Sequence, residues 1–255
     1  MDSTRYVCQF SCGAASAVAT MLTLAQHRNV EIVNAYVREE HPDNGRFLKD
    51  CEAWFGRKIT ILKDEKYHAS ALEVFRQRRF IKSRQGAPCS TNLKRKVLEQ
   101  FSQPGDVLVF GFTAEEVDRF MDFKSRNEHL KCDAPLITHG LGKADCKAII
   151  ERAGIQLPLM YRLGYSNANC IGCVKGGEGY FRAIREDFPD QFEALAQVEE
   201  SIGPTAYLFR DRKTGERYPL RDIKPGKARR DLEIPQCSFY CEAAEALIDA
   251  ESKPA

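Results

Sequence analysis

The chain has 255 residues, of which 43% are hydrophobic and 29% charged, and its formal net charge is +2. This composition is that of an ordinary globular protein and excludes a fibrous or disordered chain, while the small net charge points to no class of partner. The sequence holds no run of about 18 apolar residues, so no membrane-spanning helix is predicted. No apolar signal core follows the first residues, and we therefore expect a cytoplasmic protein.

Apolar runs typical of buried strands alternate with segments whose 3.6-residue periodicity is typical of helices. In chain order, the predicted pairs of strand and helix are residues 6–10 and 14–27, 31–36 and 44–55, 58–62 and 69–78, 106–110 and 114–126, and 135–137 and 143–153. This alternation predicts an α/β fold in which a mostly parallel sheet carries helices on both faces. Sheets of this kind bind ligands where strands end and helices begin.

The sequence changes in character after about residue 163. Glycines crowd around Cys170 and Cys173, a helical pattern covers residues 191–201, and a basic, loop-rich stretch follows. We therefore predict one α/β domain over residues 1–163 and a small Cys-containing segment over residues 164–255 that packs on it.

A turn of small residues, Ser11-Cys12-Gly13-Ala14-Ala15-Ser16, joins the first predicted strand to the first predicted helix. Backbone N–H groups at a helix N-terminus attract anions, and a glycine allows close approach of a ligand. The turn is therefore a candidate anion site, although small residues also permit tight packing of a helix on a sheet. It is not a Walker A loop, because it lacks the Gly-Lys-Ser/Thr sequence.

The segment from Ser11 to Val18 resembles the modified PP-loop of the phosphoadenosine phosphosulfate (PAPS) reductase family. Further landmarks of that family follow in the same order at residues 40–47 (EHPDNGRF), 110–119 (FGFTAEEVDR), 157–165 (LPLMYRLGY) and 169–175 (NCIGCVK). The chain is most similar to the iron–sulfur members of phage and mobile-element type. This resemblance implies the adenine nucleotide α-hydrolase-like fold of the PP-loop superfamily.

The resemblance also implies an adenine nucleotide whose phosphates bind on the first turn, at Ser11, Cys12, Gly13, Ala14 and Ser16. Three further candidates for nucleotide binding are Glu115 and Arg119, expected to pair at i, i+4 on one helix face, and Lys94. ATP-cleaving relatives carry Lys and Asp where this chain has Ala14 and Ala15. A sulfonucleotide-like ligand, or a nucleotide that is merely bound, is therefore favoured over ATP cleavage.

Ten cysteines in a reducing compartment favour metal, cluster or redox chemistry over a disulfide framework. Cys170 and Cys173 have the spacing that brings two thiolates to one metal. The iron–sulfur branch of the resembled family also has a cysteine near the position of Cys89, and Cys237 or Cys241 could supply a fourth thiolate. We expect a [4Fe–4S] cluster on Cys89, Cys170, Cys173 and Cys237, and zinc is the alternative for the same residues.

The family's catalytic thiol near the C-terminus lies in a Glu-Cys-Gly setting that this chain lacks. Either Cys241 replaces it as the catalytic nucleophile, or the chemistry of this chain differs. The remaining cysteines are predicted to be buried and inert: Cys8, Cys12, Cys51, Cys132 and Cys146.

Two basic stretches run from Arg76 to Lys96 and from Arg210 to Arg230, and each is either a phosphate-binding surface or a solvated face. Three functions remain open. The first is a PAPS-reductase-like enzyme that uses a thiol donor such as thioredoxin. The second is a sulfur-transfer or modification enzyme that binds tRNA or other RNA or DNA through the basic stretches. The third is a non-catalytic nucleotide-binding accessory protein.

Overall fold

A computed structural model describes residues 4–83 and 86–234 of the chain. The chain divides into two compact units. The first comprises residues 1–36, 42–62 and 97–162, and the second comprises residues 37–41, 63–96 and 163–255. The predicted division into two contiguous parts at residue 163 stays a prediction. In the described part of the chain, no helix is long and apolar enough to cross a membrane.

The first unit contains a five-stranded, wholly parallel sheet. Its strands are β1 (Tyr6–Gln9), β2 (Val30–Ala35), β3 (Thr60–Leu62), β4 (Val107–Val109) and β5 (Lys131–Asp133), in the order β3-β2-β1-β4-β5. The strand β1 is central, and Cys8 lies in register with Ile32 on one side and Val109 on the other. The α/β fold with a parallel sheet and surrounding helices is therefore confirmed.

The helices alternate with these strands along the chain. They are α1 (Ala14–Gln26), α2 (Asp43–Phe55), α3 (Ala71–Arg78), α4 (Pro88–Ser90), α5 (Lys96–Phe101), α6 (Val117–Arg126), α7 (Pro135–Thr138), α8 (Lys143–Arg152), α9 (Leu159–Arg162), α10 (Glu178–Asp187) and α11 (Pro189–Ile202). Short 3₁₀ turns cover Ala114–Glu116, Pro204–Ala206 and Leu220–Asp222, and a π-helical turn covers Thr91–Arg95. The helices α1, α2, α3, α6, α8 and α11 were predicted to within a few residues of these bounds.

The core of the first unit forms around α1, which packs on the sheet and against α7 and α8. Phe10, at the end of β1, is stacked with Phe47 at 6.2 Å between ring centroids and meets Phe55 edge-on at 6.0 Å. Burying these rings, at about 25 cal/mol per Å² of apolar surface, fixes α2 against the sheet. The end of β1, and with it the turn that follows, is thus rigidly placed.

The second unit is built on α10 and α11, with a two-stranded antiparallel ribbon of β6 (Phe209–Arg210) and β7 (Arg217–Tyr218). Tyr180, Phe181 and Ile184 of α10 are at most 1% exposed. Glu199 of α11 is also fully buried, and its two carboxylate oxygens accept hydrogen bonds from the backbone N–H groups of Leu208 and Leu220. This carboxylate joins the chain on both sides of the ribbon to α11.

The predicted strand at residues 135–137 is wrong, because this segment is the short helix α7 and the fifth strand is β5. Pro135 occupies the first turn of α7, where a missing N–H costs no hydrogen bond. β5 has the sequence Lys-Cys-Asp, which shows no apolar alternation, and it pairs with β4 alone at the edge of the sheet. Pairing with β4 therefore decides its conformation.

Candidate functional site

The turn after β1 is held in an unusual backbone conformation. Cys12 has a φ of +55°, in the left-handed region that a non-glycine residue rarely adopts. The buried Asn34 side chain of β2 stabilises it, since its amide donates to the carbonyl of Phe10 at 2.8 Å and lies 3.6 Å from the Cys12 sulfur. The strain is thus offset by a fixed partner from the neighbouring strand, as is common at ligand-binding turns.

Three backbone N–H groups lie ahead of the first intrahelical hydrogen bond of α1, those of Ala14, Ala15 and Ser16. That first bond runs from the N–H of Ala17 to the carbonyl of Gly13 at 3.1 Å. Gly13 provides no side-chain cap, and the first turn of α1 contains no acidic residue. The amino end of this 13-residue helix therefore presents N–H groups and a positive dipole without a built-in counter-charge.

The Ser16 hydroxyl closes the turn on itself. It accepts a hydrogen bond from the N–H of Ser11 at 3.1 Å, donates to the carbonyl of Gly13 at 2.9 Å and lies 3.2 Å from the Ser11 hydroxyl oxygen. Ser11 is exposed, whereas Ser16 is 6% exposed. The five nucleotide-binding candidates of this turn, from Ser11 to Ser16, therefore lie together in one hydrogen-bonded loop.

Gly111, in the loop after β4, contacts the same turn. A Cβ atom at Gly111 would lie 2.8 Å from the backbone nitrogen of Ser16 and 2.9 Å from its Cα, so only glycine permits this approach. β2 and β3 are added on one side of β1, and β4 and β5 on the other. The strand order therefore reverses between β1 and β4, which is the switch point of the sheet. Parallel α/β sheets bind ligands at such switch points.

Tyr161 of α9 is a second residue absent from the predicted site. Its hydroxyl would lie 3.2 Å from a Cβ atom at Gly13. The Lys147 ammonium lies 5.0 Å from the centroid of the Tyr161 ring. An aromatic hydroxyl therefore lies beside the turn, with a cation over its ring, and the landmark segment at residues 157–165 was the sequence signal for Tyr161 alone.

Two landmark segments of the sequence meet at Asp43, the first residue of α2. Its carboxylate accepts hydrogen bonds from the Arg46 guanidinium at 2.7 and 3.0 Å and from the N–H of Leu159 at 2.7 Å. Arg46 also donates to the carbonyls of Gln156 and Leu157. The hydrogen bond from Arg46 lowers the pKa of Asp43 to about 2. This network fixes the segment that carries Tyr161.

Glu115 and Arg119 do not form the predicted i, i+4 pair. Arg119 donates to Glu116 at 2.7 Å, at spacing i, i+3, because residues 114–116 form a tighter 3₁₀ turn. The Glu115 carboxylate instead accepts a hydrogen bond from the N–H of Lys143 at 3.1 Å, at the amino end of α8. It thereby neutralises part of that helix dipole.

Lys94, in the second unit, lies in the π-helical turn and forms an ion pair with Glu40 at 2.8 Å. The two side chains are only 14% and 7% exposed. A buried pair of this kind is costly to separate, because both charges have been taken out of water. Its predicted role in nucleotide binding stays a prediction.

The Cys170-x-x-Cys173 segment of the second unit forms a tight turn around one hydroxyl group. The Cys173 N–H donates to the Cys170 carbonyl at 3.1 Å, and Gly172 between them has a φ of +74°. The buried Tyr180 hydroxyl accepts from the N–H groups of Gly172 and Cys173 and donates to the Cys170 carbonyl, each at 3.1 Å. The positions of the two thiols are thus fixed by backbone contacts.

Lys82 and Glu39 hold this turn from outside. The Lys82 ammonium donates to the carbonyl of Val174 at 2.6 Å, and the carbonyl of Glu39 accepts from the N–H of Ile171 at 2.8 Å. Burial lowers the pKa of Lys82, and the nearby Cys173 thiol opposes that shift. A cation therefore lies close to one of the two thiols.

Cys89, in α4, is half-buried, and its neighbours leave polar atoms unused. Within the described residues, no hydrogen-bond partner is found for the buried hydroxyls of Ser90 and Thr91 or for the side-chain nitrogen of Asn169, which precedes Cys170. No group of three or more His, Cys, Asp or Glu in that part of the chain is arranged to hold a metal ion. Cys237 and Cys241 lie outside the described residues.

Cys8, Cys12, Cys51 and Cys146 are buried, as predicted, whereas Cys132 in the edge strand β5 is half-buried. Burial raises the pKa of the Cys8, Cys51 and Cys146 thiols to about 12 and that of Cys132 to about 11. Thiols with such pKa values are poor nucleophiles near neutral pH.

Several charges of the first basic stretch have partners within the protein. Arg76 pairs with Glu73, and Arg79 donates to the carbonyls of Ser201 and Ile202 at the end of α11. Lys82 and Lys94 have the partners described above. These four basic residues of the stretch therefore stabilise the structure.

A parallel sheet with an open helix amino end beside its central strand defines an α/β protein with anion-binding geometry at the switch point. No protein-family model matches the sequence, and no curated protein matches it. Among solved structures, the chain is similar to a phosphoadenylyl-sulfate (PAPS) reductase from Candida auris, solved as a phosphate complex. The identity is 11%, the TM-score is 0.47, and the match covers 67% of this chain and 82% of that one.

Proposed function

We propose that the chain binds an adenylyl sulfonucleotide whose phosphate and sulfate groups lie on the turn between β1 and α1. The observation that carries the proposal is the uncapped amino end of α1, which the approach of Gly111 places at the switch point of the sheet. The N–H groups of Ala14, Ala15 and Ser16 would donate to the anionic groups, with the Ser11 hydroxyl at the exposed side.

Two residues after β4 support this turn in the proposal. Arg119 is held by Glu116, and the Glu115 carboxylate is engaged at the amino end of α8. In the proposal, these two residues position the loop after β4. Lys94 of the second unit is held by Glu40, and its role in nucleotide binding is proposed independently of this turn. Direct contact with phosphate is assigned to the backbone of the first turn.

We further propose that Cys170, Cys173, Cys89 and Cys237 hold a [4Fe–4S] cluster, with zinc as the alternative. The donor set fits, because thiolates are the preferred ligands of both. The unused donors of Ser90 and Asn169, each next to a proposed ligand, could satisfy sulfide or thiolate acceptors. When bound, a cluster would supply redox activity.

Sulfur chemistry in this proposal uses the thiolate of Cys241. The thiolate attacks the sulfate sulfur, an S–S bond forms, and the S–O bond to phosphate breaks, so that the nucleotide leaves with the electron pair. A dithiol donor such as thioredoxin then supplies two electrons, which release sulfite and restore the thiolate while the donor becomes a disulfide.

The nucleotide proposal is tested by placing a negative charge at the amino end of α1. Ala15→Asp should weaken binding of PAPS or adenosine phosphosulfate by about tenfold or more, because the carboxylate competes with the ligand for the helix dipole. Ala15→Asn has the same size without the charge and serves as the control. Titration calorimetry measures both affinities. Equal affinity in the two variants would show that the anion binds elsewhere.

Cluster binding is tested separately by analysing iron, sulfide and zinc in protein purified without oxygen. Cys170→Ser and Cys173→Ser should each lose most of the metal, whereas the control Cys132→Ser, in the edge strand β5, should retain it. If all three variants hold as much metal as the parent protein, the proposed ligands are wrong.

Modification of RNA or DNA is a second candidate, favoured by the basic residues 210–230. Suppose that the metal-replete protein binds the sulfonucleotide but releases no sulfite when thioredoxin is added. That result would favour the nucleic-acid alternative.

A further inference from the structure

The second unit contains a cavity of about 860 Å³ between the amino end of α10, the ribbon β6–β7 and residues 224–232. Seven of its fourteen lining residues are Lys or Arg, and two are acidic. The whole chain carries a net charge of only +2, so this cavity concentrates positive charge that the rest of the protein does not show.

Close packing against α10 forms one wall of the cavity. The N–H of Arg229 donates to the carbonyl of Gly179 at 2.8 Å, and a Cβ atom at Gly179 would lie 3.0 Å from the Arg229 side chain. Arg182 donates to the carbonyl of Lys224 at 2.8 Å, with Gly226 packed on its guanidinium. The two glycines let this segment lie directly on the helix, so the wall is a packed structure.

The two acidic residues of the lining are already neutralised. Glu178 pairs with Arg182 at 2.6 Å, and Asp211 pairs with Lys224 at 2.6 Å. Arg229 pairs with Asp231, which lies outside the lining. These ion pairs neutralise both lining carboxylates, and they involve only some of the lining cations.

Three lining cations, Arg212, Lys213 and Lys227, are exposed. Within the part of the chain that the structure describes, none of them forms an ion pair with a carboxylate. The amino end of α10, capped by no side chain at Gly177, adds backbone N–H groups to the same cavity. The hydrogen bond from Arg229, and to a smaller extent the charge of Lys227, lowers the pKa of the nearby Asp231 carboxyl, so this carboxylate neutralises Lys227 only in part. The lining cations repel one another, and a multiply charged anion would relieve that repulsion.

The aromatic pair of the ribbon supplies a second kind of contact. The Tyr218 ring lines the cavity and is stacked with Phe209 at 6.1 Å between centroids. Aromatic side chains next to cations are the usual means of holding a base together with its phosphates.

We infer that this cavity binds a ligand carrying two or more phosphate groups and a nucleobase. The phosphates contact Arg212, Lys213 and Lys227, and the base lies on the Tyr218 side. Its volume is that of a site for one nucleotide-sized ligand. The phosphates come either from a free nucleotide or from the backbone of a single strand. The inference does not rest on the proposed function, because it uses only residues of the second unit.

The test compares the double variant Lys213→Gln/Lys227→Gln with the control Lys49→Gln/Lys131→Gln in the full-length protein. Both pairs are exposed lysines, and both variants lose the same net charge. Fluorescence anisotropy measures binding of labelled ATP and of a labelled twelve-nucleotide oligothymidylate, and unlabelled inorganic triphosphate serves as competitor.

We expect the cavity variant, and not the control, to weaken binding by about tenfold. If both ATP and triphosphate bind and show this loss, the source is a free nucleotide. If only the oligothymidylate binds and shows this loss, the source is a single strand. The slope of log K against log salt should then be smaller in magnitude by about 1.4 for the cavity variant than for the parent protein.

Combining each variant with Ala15→Asp separates this cavity from the turn after β1. If Ala15→Asp weakens binding of the probes and the cavity variant does not, the probes bind at the turn, and the inference is overturned. Absence of binding by all three probes, or equal loss in cavity and control variants, also overturns it.

Discussion

Replacing Asp43 with asparagine tests the network that holds residues 156–162 against α2. The Asp43→Asn variant would keep the size of the side chain and one acceptor but remove the charge that Arg46 and the N–H of Leu159 satisfy. The side chain of Asp43 is only 16% exposed, so solvent screens this interaction weakly. We expect a clear loss of stability at neutral pH.

The magnitude follows from the pKa of Asp43, which the network lowers from 3.8 to about 2. One pKa unit corresponds to about 1.4 kcal/mol, so the charge stabilises the folded protein by about 2 kcal/mol. Because the folded-state pKa lies below the unfolded one, the stabilisation is complete above about pH 4 and disappears as the pH falls through 2. The difference between parent and variant should shrink over this interval.

Urea denaturation at pH 7, 4, 3 and 2.5 measures this difference. Asp50→Asn is the matched control, since Asp50 also pairs with Arg46, at 2.6 Å, but is 40% exposed. We expect a loss below about 0.5 kcal/mol for the control. A loss in Asp43→Asn that stays constant from pH 7 to pH 2.5 would show that the charge is not what stabilises the network.

Three further predictions concern closely packed positions. Gly111→Ala should destabilise the protein by about 1–3 kcal/mol in urea denaturation, because its Cβ would meet the backbone of Ser16; an unchanged midpoint would contradict the contact. Glu199→Ala should cost about 3 kcal/mol, because two buried N–H groups lose their acceptor, and Glu199→Gln should recover part of this loss. Cys8 and Cys51, whose pKa is raised to about 12, should react with iodoacetamide at pH 8 only after unfolding, as followed by mass spectrometry; rapid labelling of the native protein would refute their burial.

Elements with a strong local signal could be predicted from the sequence. The run at residues 6–10 is apolar, ends at a turn of small residues and is followed by a helical pattern, and all of these agree with β1 and α1. The edge strand β5 has no such signal, because its conformation comes from pairing with β4. The short apolar run at residues 135–137 fits a strand or a helix equally well, and only Pro135 indicated the helix.

Only the part of the candidate site that one continuous segment forms could be predicted from the sequence. The turn from Ser11 to Ser16 is such a segment, whereas Gly111 and Tyr161 reach it through the fold, from about 100 and 150 residues further along the chain. No periodicity or spacing indicates that a glycine after β4 must admit the backbone of Ser16. Resemblance marked the segments that contain these residues, but it could not assign them contacts.

The sequence also does not show which charges are paired in the fold, and this affects the comparison of the two basic stretches. The run from Arg76 to Lys96 contains no acidic residue, so from the sequence it is the stronger candidate for phosphate binding. In the fold, Lys82 and Lys94 of this run are engaged by a carbonyl and by a carboxylate. The stretch from Arg210 to Arg230 looks partly neutralised in sequence, because it contains three acidic residues. One of them, Asp211, is satisfied by Lys224, and other cations of the stretch line the cavity. The contacts that each cation makes inside the protein therefore decide whether a basic stretch can bind an anion, and they favour the second stretch over the first as the candidate of the two for phosphate binding.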